Sequence, residues 1–138
     1  MNELKLINPR SLNALGEQGR QVHLVDVRTP AEYRSAHAAG SVSIPLDQLS
    51  PEKLVMRLGD SRAGRDQPLY LTCQSGLRAR QAAERLMQSG LENLYLLDGG
   101  TEAWMKAGLP MRRCGSAISL ERQVQITIGT LLVLKVLF

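Results

Sequence analysis

Leu69-Tyr-Leu-Thr-Cys73-Gln-Ser-Gly-Leu-Arg78-Ala-Arg80 constrains the fold of this 138-residue chain more than any other stretch. Its apolar and aromatic run predicts a strand ending at Thr72, and Ala79, Ala82, Ala83, Leu86 and Met87 recur behind it at helical spacing. Gly76 supplies backbone freedom between the two. A strand, a short loop and a helix bring the unpaired N–H groups of the first helical turn onto the Cys73 sulfur, where the positive end of the backbone dipoles favours a thiolate. Each exposed contribution of this kind is worth about 0.3–1 kcal/mol, so several donors have to act together with Arg78 and Arg80. Two readings of Cys73 fit this pattern. Free cysteine is among the most buried residue types, and one that follows an apolar strand suits core packing. The arginine five positions on, and the place at a strand's carboxyl end, suit a nucleophile beside an amide-lined anion cradle.

The rest of the chain alternates strands and helices, which predicts an α/β domain. Leu4 to Ile7 reads as an edge strand, Pro9 to Leu15 as a helix start and Val22 to Val27 as a strong strand. Pro30 opens a short helix through Tyr33, Val42 to Ile44 is another strand, and Pro51 to Leu58 a helix. Asp60 to Pro68 is a polar turn, and Leu94 to Leu97 and a helix around Trp104 complete the pattern. Gly99-Gly100 permits a tight return beside the expected site, and the Trp104 stripe suits packing better than ligand recognition. Asp26 and Arg28 alternate with Val25 and Val27, so their side chains share one face, and Glu32, four residues after Arg28, is placed to join them. His37 is expected to be structural, and His23 is expected on a strand or at the surface.

Composition narrows the partners. The formal charge of +4 suits anionic small molecules, whereas an aromatic content of 4% and dispersed positive residues do not suggest nucleic acid. Two cysteines with forty residues between them form neither a disulfide framework nor a four-ligand metal site, which points to a reducing compartment. Cys114 follows Arg112-Arg113 and reads either as a linker residue or as a resolving cysteine.

Cys73-Gln-Ser-Gly-Leu-Arg78 resembles the active-site loop of rhodanese-type sulfurtransferases. Asp26-Val-Arg28-Thr-Pro-Ala-Glu32-Tyr33 is similar to that family's first signature, His37-Ala-Ala-Gly40-Ser-Val-Ser-Ile-Pro45 to its second, and the stretch from Leu97 to Pro110 to its closing one. The likeness covers Ile7 to Pro110, with departures at Ala38 and Ser43. Only four residues separate Cys73 from Arg78, which resembles sulfurtransferases rather than the related cysteine phosphatases, whose cradle is one residue longer.

The resemblance implies a rhodanese-like open parallel sheet with helices on both faces. It implies that Cys73 takes the outer sulfur of thiosulfate or a persulfide donor as a persulfide and passes it to a thiol or cyanide, with no metal or organic cofactor. Cys73 and Arg78 are then the catalytic residues. The loop residues Gln74, Ser75, Gly76, Leu77 and Arg78 bind the anionic donor, while Asp26, Arg28 and Glu32 support them. Gln74 and Ser75 leave this pocket less positive than variants with arginine or lysine there. The alternative is a sulfur-carrying or regulatory domain without turnover.

The end of the chain breaks the pattern. Residues 1–112 are expected to form the rhodanese-like domain, 113–125 a linker and 126–138 a short hydrophobic tail. At about 1.5 Å per residue, a helix over that tail falls short of a bilayer core of roughly 30 Å. Ser119 to Gly129 is similar to the junction into the transmembrane hairpin of bacterial inner-membrane rhodaneses, which suggests a shortened membrane anchor. A terminal helix packed on the domain or on a second copy is the structural alternative. With no signal-peptide pattern before the domain, the expectation is a cytoplasmic catalytic domain attached to the inner membrane or self-associating through its tail.

Overall fold

Two short segments, β2 (His23–Asp26) and β5 (Leu69–Thr72), are buried along their whole length, as the middle strands of a sheet covered on both faces must be. The structure, a computed structural model, describes residues 4–114. β1 (Lys5–Ile7), β4 (Val42–Ser43) and β6 (Leu94–Leu97) complete a five-stranded sheet in the order β1-β6-β5-β2-β4, with every neighbouring pair parallel. Parallel neighbours require crossovers, and these are supplied by α1 (Pro9–Glu17), α2 (Pro30–Ser35), α3 (Pro51–Leu58) and α4 (Leu77–Gln88), while α5 (Gly100–Lys106) follows the last strand of the sheet.

The helix starts follow local chemistry. Pro9, Pro30 and Pro51 occupy first-turn positions, where the missing N–H costs nothing. Asn8, Thr29 and Ser50 precede them, and each side chain accepts a backbone N–H three residues on. Thr29 and Glu32 form a reciprocal capping box that fixes where α2 begins.

Alternation along the strands divides the core into two layers. Val25, Leu69, Leu71, Leu94 and Leu96 face Leu54 of α3 and the Ala79, Ala82, Ala83 and Leu86 stripe of α4. Leu24, Tyr70 and Leu97 face Leu12 of α1 and Trp104 of α5. The small alanine face lets α4 lie close over β5 and β6, which brings its N-terminus to the carboxyl end of β5.

The expected strands over 22–27 and 42–44 are shorter, at His23–Asp26 and Val42–Ser43. An antiparallel pair of β3 (His37–Ala38) and β7 (Met111–Arg112) was not anticipated, since two-residue strands carry no period to read. Arg113 and Cys114 follow β7, and the Cys114 N–H donates to the Arg34 carbonyl at 3.0 Å. The rest of the expected linker and the whole 126–138 tail lie outside the described residues. Among the described residues, no helix is long and apolar enough to cross a membrane.

Candidate active site

Cys73 follows the last residue of β5, and α4 starts four residues later at Leu77. Gly76 caps α4 with φ 120°, a conformation that a side chain would strain, and its N–H donates to Cys73 Sγ at 3.0 Å. Cys73 is 1% exposed. It therefore belongs to the core by burial, as the packing reading expects, while its sulfur accepts a hydrogen bond from the loop. An N–H donor and a helix N-terminus thus meet at this sulfur, an arrangement of the kind that binds anions.

The loop is held from behind by α5. Thr101 N–H donates to the Cys73 carbonyl at 2.8 Å and Glu102 N–H to the Gln74 carbonyl at 3.0 Å. Trans peptide geometry sets each carbonyl opposite the following N–H, so the N–H groups of Gln74 and Ser75 point away from α5. Gly100 makes this approach possible: a Cβ there would lie 2.6 Å from the Cys73 oxygen and 2.7 Å from the Gln74 oxygen. Thr72 Oγ1 donates to the Cys73 carbonyl at 3.1 Å and lies 3.1 Å from Thr101 Oγ1, which ties β5 to α5. Thr72, Thr101 and Glu102 were not singled out from sequence; the Gly99-Gly100 pair was the only available signal of a close approach.

Two arginine–carboxylate pairs flank the loop. Asp26 is fully buried and Arg28 4% exposed. Arg28 Nη2 donates to Asp26 Oδ2 at 2.7 Å, its Nε lies within 3.1 Å of both carboxylate oxygens, and its backbone N–H also meets Oδ1. Arg28 reaches the carbonyl of Ala36 at 2.7 Å and the Gln74 side-chain oxygen at 3.4 Å, so a buried ion pair joins β2, the end of α2 and the loop.

Glu32 does not join this pair. Its carboxylate receives the fork of Arg78, with Nη1 to Oε1 at 2.8 Å and Nη2 to Oε2 at 3.0 Å. The Arg78 bonds, helped by those from Thr29 and opposed by burial, hold the Glu32 carboxyl down to about 2 from 4.5. The four-residue spacing from Arg28 to Glu32 suggested that pair, but Arg28 is already enclosed by Asp26 and Ala36.

The remaining candidates lie at the margins. Gln74, Ser75 and Leu77 are exposed on the loop. Arg80, Leu77, Leu6 and Asp98 line a 370 Å³ cavity on the β6 side of the loop. His37 Nδ1 lies 2.7 Å from the Tyr33 carbonyl and its ring stacks on Tyr33 at 3.7 Å, which places it in support of α2. His23 is a buried strand residue paired with Asp60. Trp104 donates its indole N–H to the Pro110 carbonyl and lines a 490 Å³ cavity with Leu12, Arg20 and Gly40, a cavity that no residue of the Cys73 loop touches. Among the described residues, no three His, Cys, Asp or Glu side chains group as metal ligands.

Comparison with known proteins places this geometry. The sequence matches the family profile described as Rhodanese-like domain over residues 8–107. It is 39% identical over 132 residues to the uncharacterized protein slr1261 of Synechocystis sp., covering 95% of this chain and 69% of that protein. It is 34% identical over 111 residues to the thiosulfate sulfurtransferase GlpE of Vibrio cholerae, covering 80% of this chain and 97% of that one. Among solved structures, the Alr3790 protein of Anabaena sp. superposes with a TM-score of 0.64 at 26% identity, over 78% of this chain and 92% of that one. The α/β fold, with its parallel sheet and helices on both faces, and the motif-bearing core from β2 to α5 thus have one source: the chain belongs to the family of rhodanese-like domains.

Proposed function

We propose that this protein is a sulfurtransferase that moves a sulfane sulfur through a persulfide on Cys73. The observation that carries this reading is the Gly76 N–H on Cys73 Sγ at 3.0 Å, at the junction of β5 and α4. The name of the Vibrio cholerae relative, thiosulfate sulfurtransferase, supports the same class of reaction. In the first half-reaction the Cys73 thiolate attacks the outer sulfur of thiosulfate or a persulfide. The Sγ–S bond forms as the donor S–S bond breaks, and sulfite or a thiolate leaves with the electron pair. In the second, a thiol or cyanide attacks the outer sulfur of the Cys73 persulfide and Cys73 leaves as thiolate. The amides of residues 74–78 hold the negative charge, Arg78 fixes the loop to α2 through Glu32, and Asp26 with Arg28 supports it from β2. No step calls for a metal or organic cofactor.

Steady-state transfer of sulfur to cyanide or to a small thiol tests the reading, with an aryl phosphate as the competing substrate. Turnover abolished in Cys73→Ser and no phosphate release are expected. Turnover that survives Cys73→Ser, or aryl phosphate hydrolysis, overturns it. The 1% exposure of Cys73 favours a second reading, a sulfur carrier without turnover. A persulfide that forms and passes to no thiol would select it. The apolar sequence over 126–138 extends the proposal to membrane contact or self-association. Vesicle flotation and solution mass of the full chain test this extension, and a monomer that does not float contradicts it.

A further inference from the structure

The two arginines that reach the Cys73 loop both arrive paired. Arg28 is enclosed by Asp26, and both terminal nitrogens of Arg78 are engaged by Glu32. Gln74 and Ser75 bring no charge. Arg80 lies outside this site, on the β6 side of the loop, in a cavity lined also by Ser75, Gly76 and Asp98. Counting the Cys73 thiolate, the site between β2, α2 and α4 has one net negative charge, offset by roughly half a unit at the α4 N-terminus. Between β2, α2 and α4, a donor with two negative charges meets no side-chain cation without a carboxylate partner.

We propose that Glu32 is a specificity-determining residue: by holding the fork of Arg78 it keeps the cradle near neutral, and so directs Cys73 to alkyl persulfides, with a single negative charge at the reacting end, in preference to the dianion thiosulfate. This rests on the sulfurtransferase reading above. Leu77, the first residue of α4 and 69% exposed, adds an apolar contact for the organic chain of a persulfide, which thiosulfate has no carbon atoms to use. Glu32 stays ionised throughout the neutral range, so the fork is not released by ordinary changes of pH. The step balances: Sγ bonds to the outer sulfur of R–S–S⁻, the donor S–S bond breaks, and R–S⁻ leaves with the electron pair, two negative charges entering and two leaving.

The test measures loading of Cys73 in the full chain by intact mass, with cysteine persulfide and with thiosulfate as probes. Glu32→Gln retains a side chain suited to the capping box and frees the Arg78 charge. The expected result is a rise of about tenfold in the thiosulfate rate relative to the persulfide rate, equivalent to about 1.4 kcal/mol. A folded Glu32→Gln protein with the wild-type ratio overturns the proposal. Salt dependence of the wild type decides it independently of whether the variant folds. Thiosulfate loading that does not fall with added salt supports a compensated cradle, whereas a steep fall reveals a free cation and overturns it. Loading faster with thiosulfate than with persulfide in the wild type also overturns it. Absence of loading from either donor has a different signature, and removes the sulfurtransferase reading together with this one.

Discussion

Replacing Gly100 by alanine should separate the Cys73 loop from the helix that holds it. A Cβ at this position lies 2.6 and 2.7 Å from the oxygens of Cys73 and Gln74 and 2.9 Å from the Gln74 carbonyl carbon, all backbone atoms with no side-chain rotamer to yield. Relief requires α5 and the loop to part by roughly half an ångström in a closely packed region. That movement stretches the Thr101 and Glu102 N–H bonds to the loop, now 2.8 and 3.0 Å, at about 0.5–1.5 kcal/mol each. The φ of +67° adds about 1 kcal/mol for a residue with a Cβ. The total is about 2–4 kcal/mol, or a fall in Tm on the order of 10 °C for a domain of this size. Urea unfolding measures the loss, and the rate of Cys73 loading should drop with it as the loop carbonyls are displaced. Gly16→Ala is the control. Gly16 lies in α1 with ordinary φ, and a Cβ there would meet nothing within 4 Å, so alanine should stabilise by about 0.5 kcal/mol. A Gly100→Ala protein that unfolds with the wild type and loads Cys73 at the wild-type rate would refute the reasoning.

Three further outcomes follow from the ion pairs and caps. Asp26→Asn leaves Arg28 buried beside a neutral partner and should cost about 3–5 kcal/mol in denaturant unfolding; a loss below about 1 kcal/mol would show that the pair is not needed to hold the loop. Glu32 has a folded pKa of about 2 against 4.5, so its contribution is present above pH 4.5 and is lost as pH falls towards 2. Because both partners are about one-third exposed, solvent screening limits that contribution to about 1 kcal/mol; unfolding curves of wild type and Glu32→Gln should differ at pH 6 and converge near pH 2, and a constant gap would contradict the assignment. Thr29→Ala removes the cap of α2 and should cost about 1 kcal/mol by thermal unfolding, with an unchanged Tm as the contrary result.

The sheet and the Cys73 loop were legible because each left a pattern in the sequence. Leu69 to Thr72 is an apolar run of strand length, the alanine stripe from Ala79 to Ala83 has helical period, and the proline-led helices carry their caps beside them. The motif order then gave the family. The partner of Glu32 was not legible, because helix spacing reports only neighbours on one element, whereas Arg78 arrives from 46 residues away. Thr101 was hidden for a similar reason: its N–H and hydroxyl matter only once α5 folds back onto β5. The β3–β7 pair escaped because two residues form no period, and its register depends on the return of the chain after α5.

The central claim is that Cys73, held by the Gly76 N–H, is the residue that carries the sulfur. Peptide-level mass spectrometry of the full chain after brief exposure to a persulfide donor tests it most directly. The account predicts the added mass of one sulfur atom on the peptide that contains Cys73, discharged when a thiol acceptor is added and absent in Cys73→Ser. Sulfur found on Cys114 with Cys73 unmodified, or an unmodified chain with every donor, would contradict it.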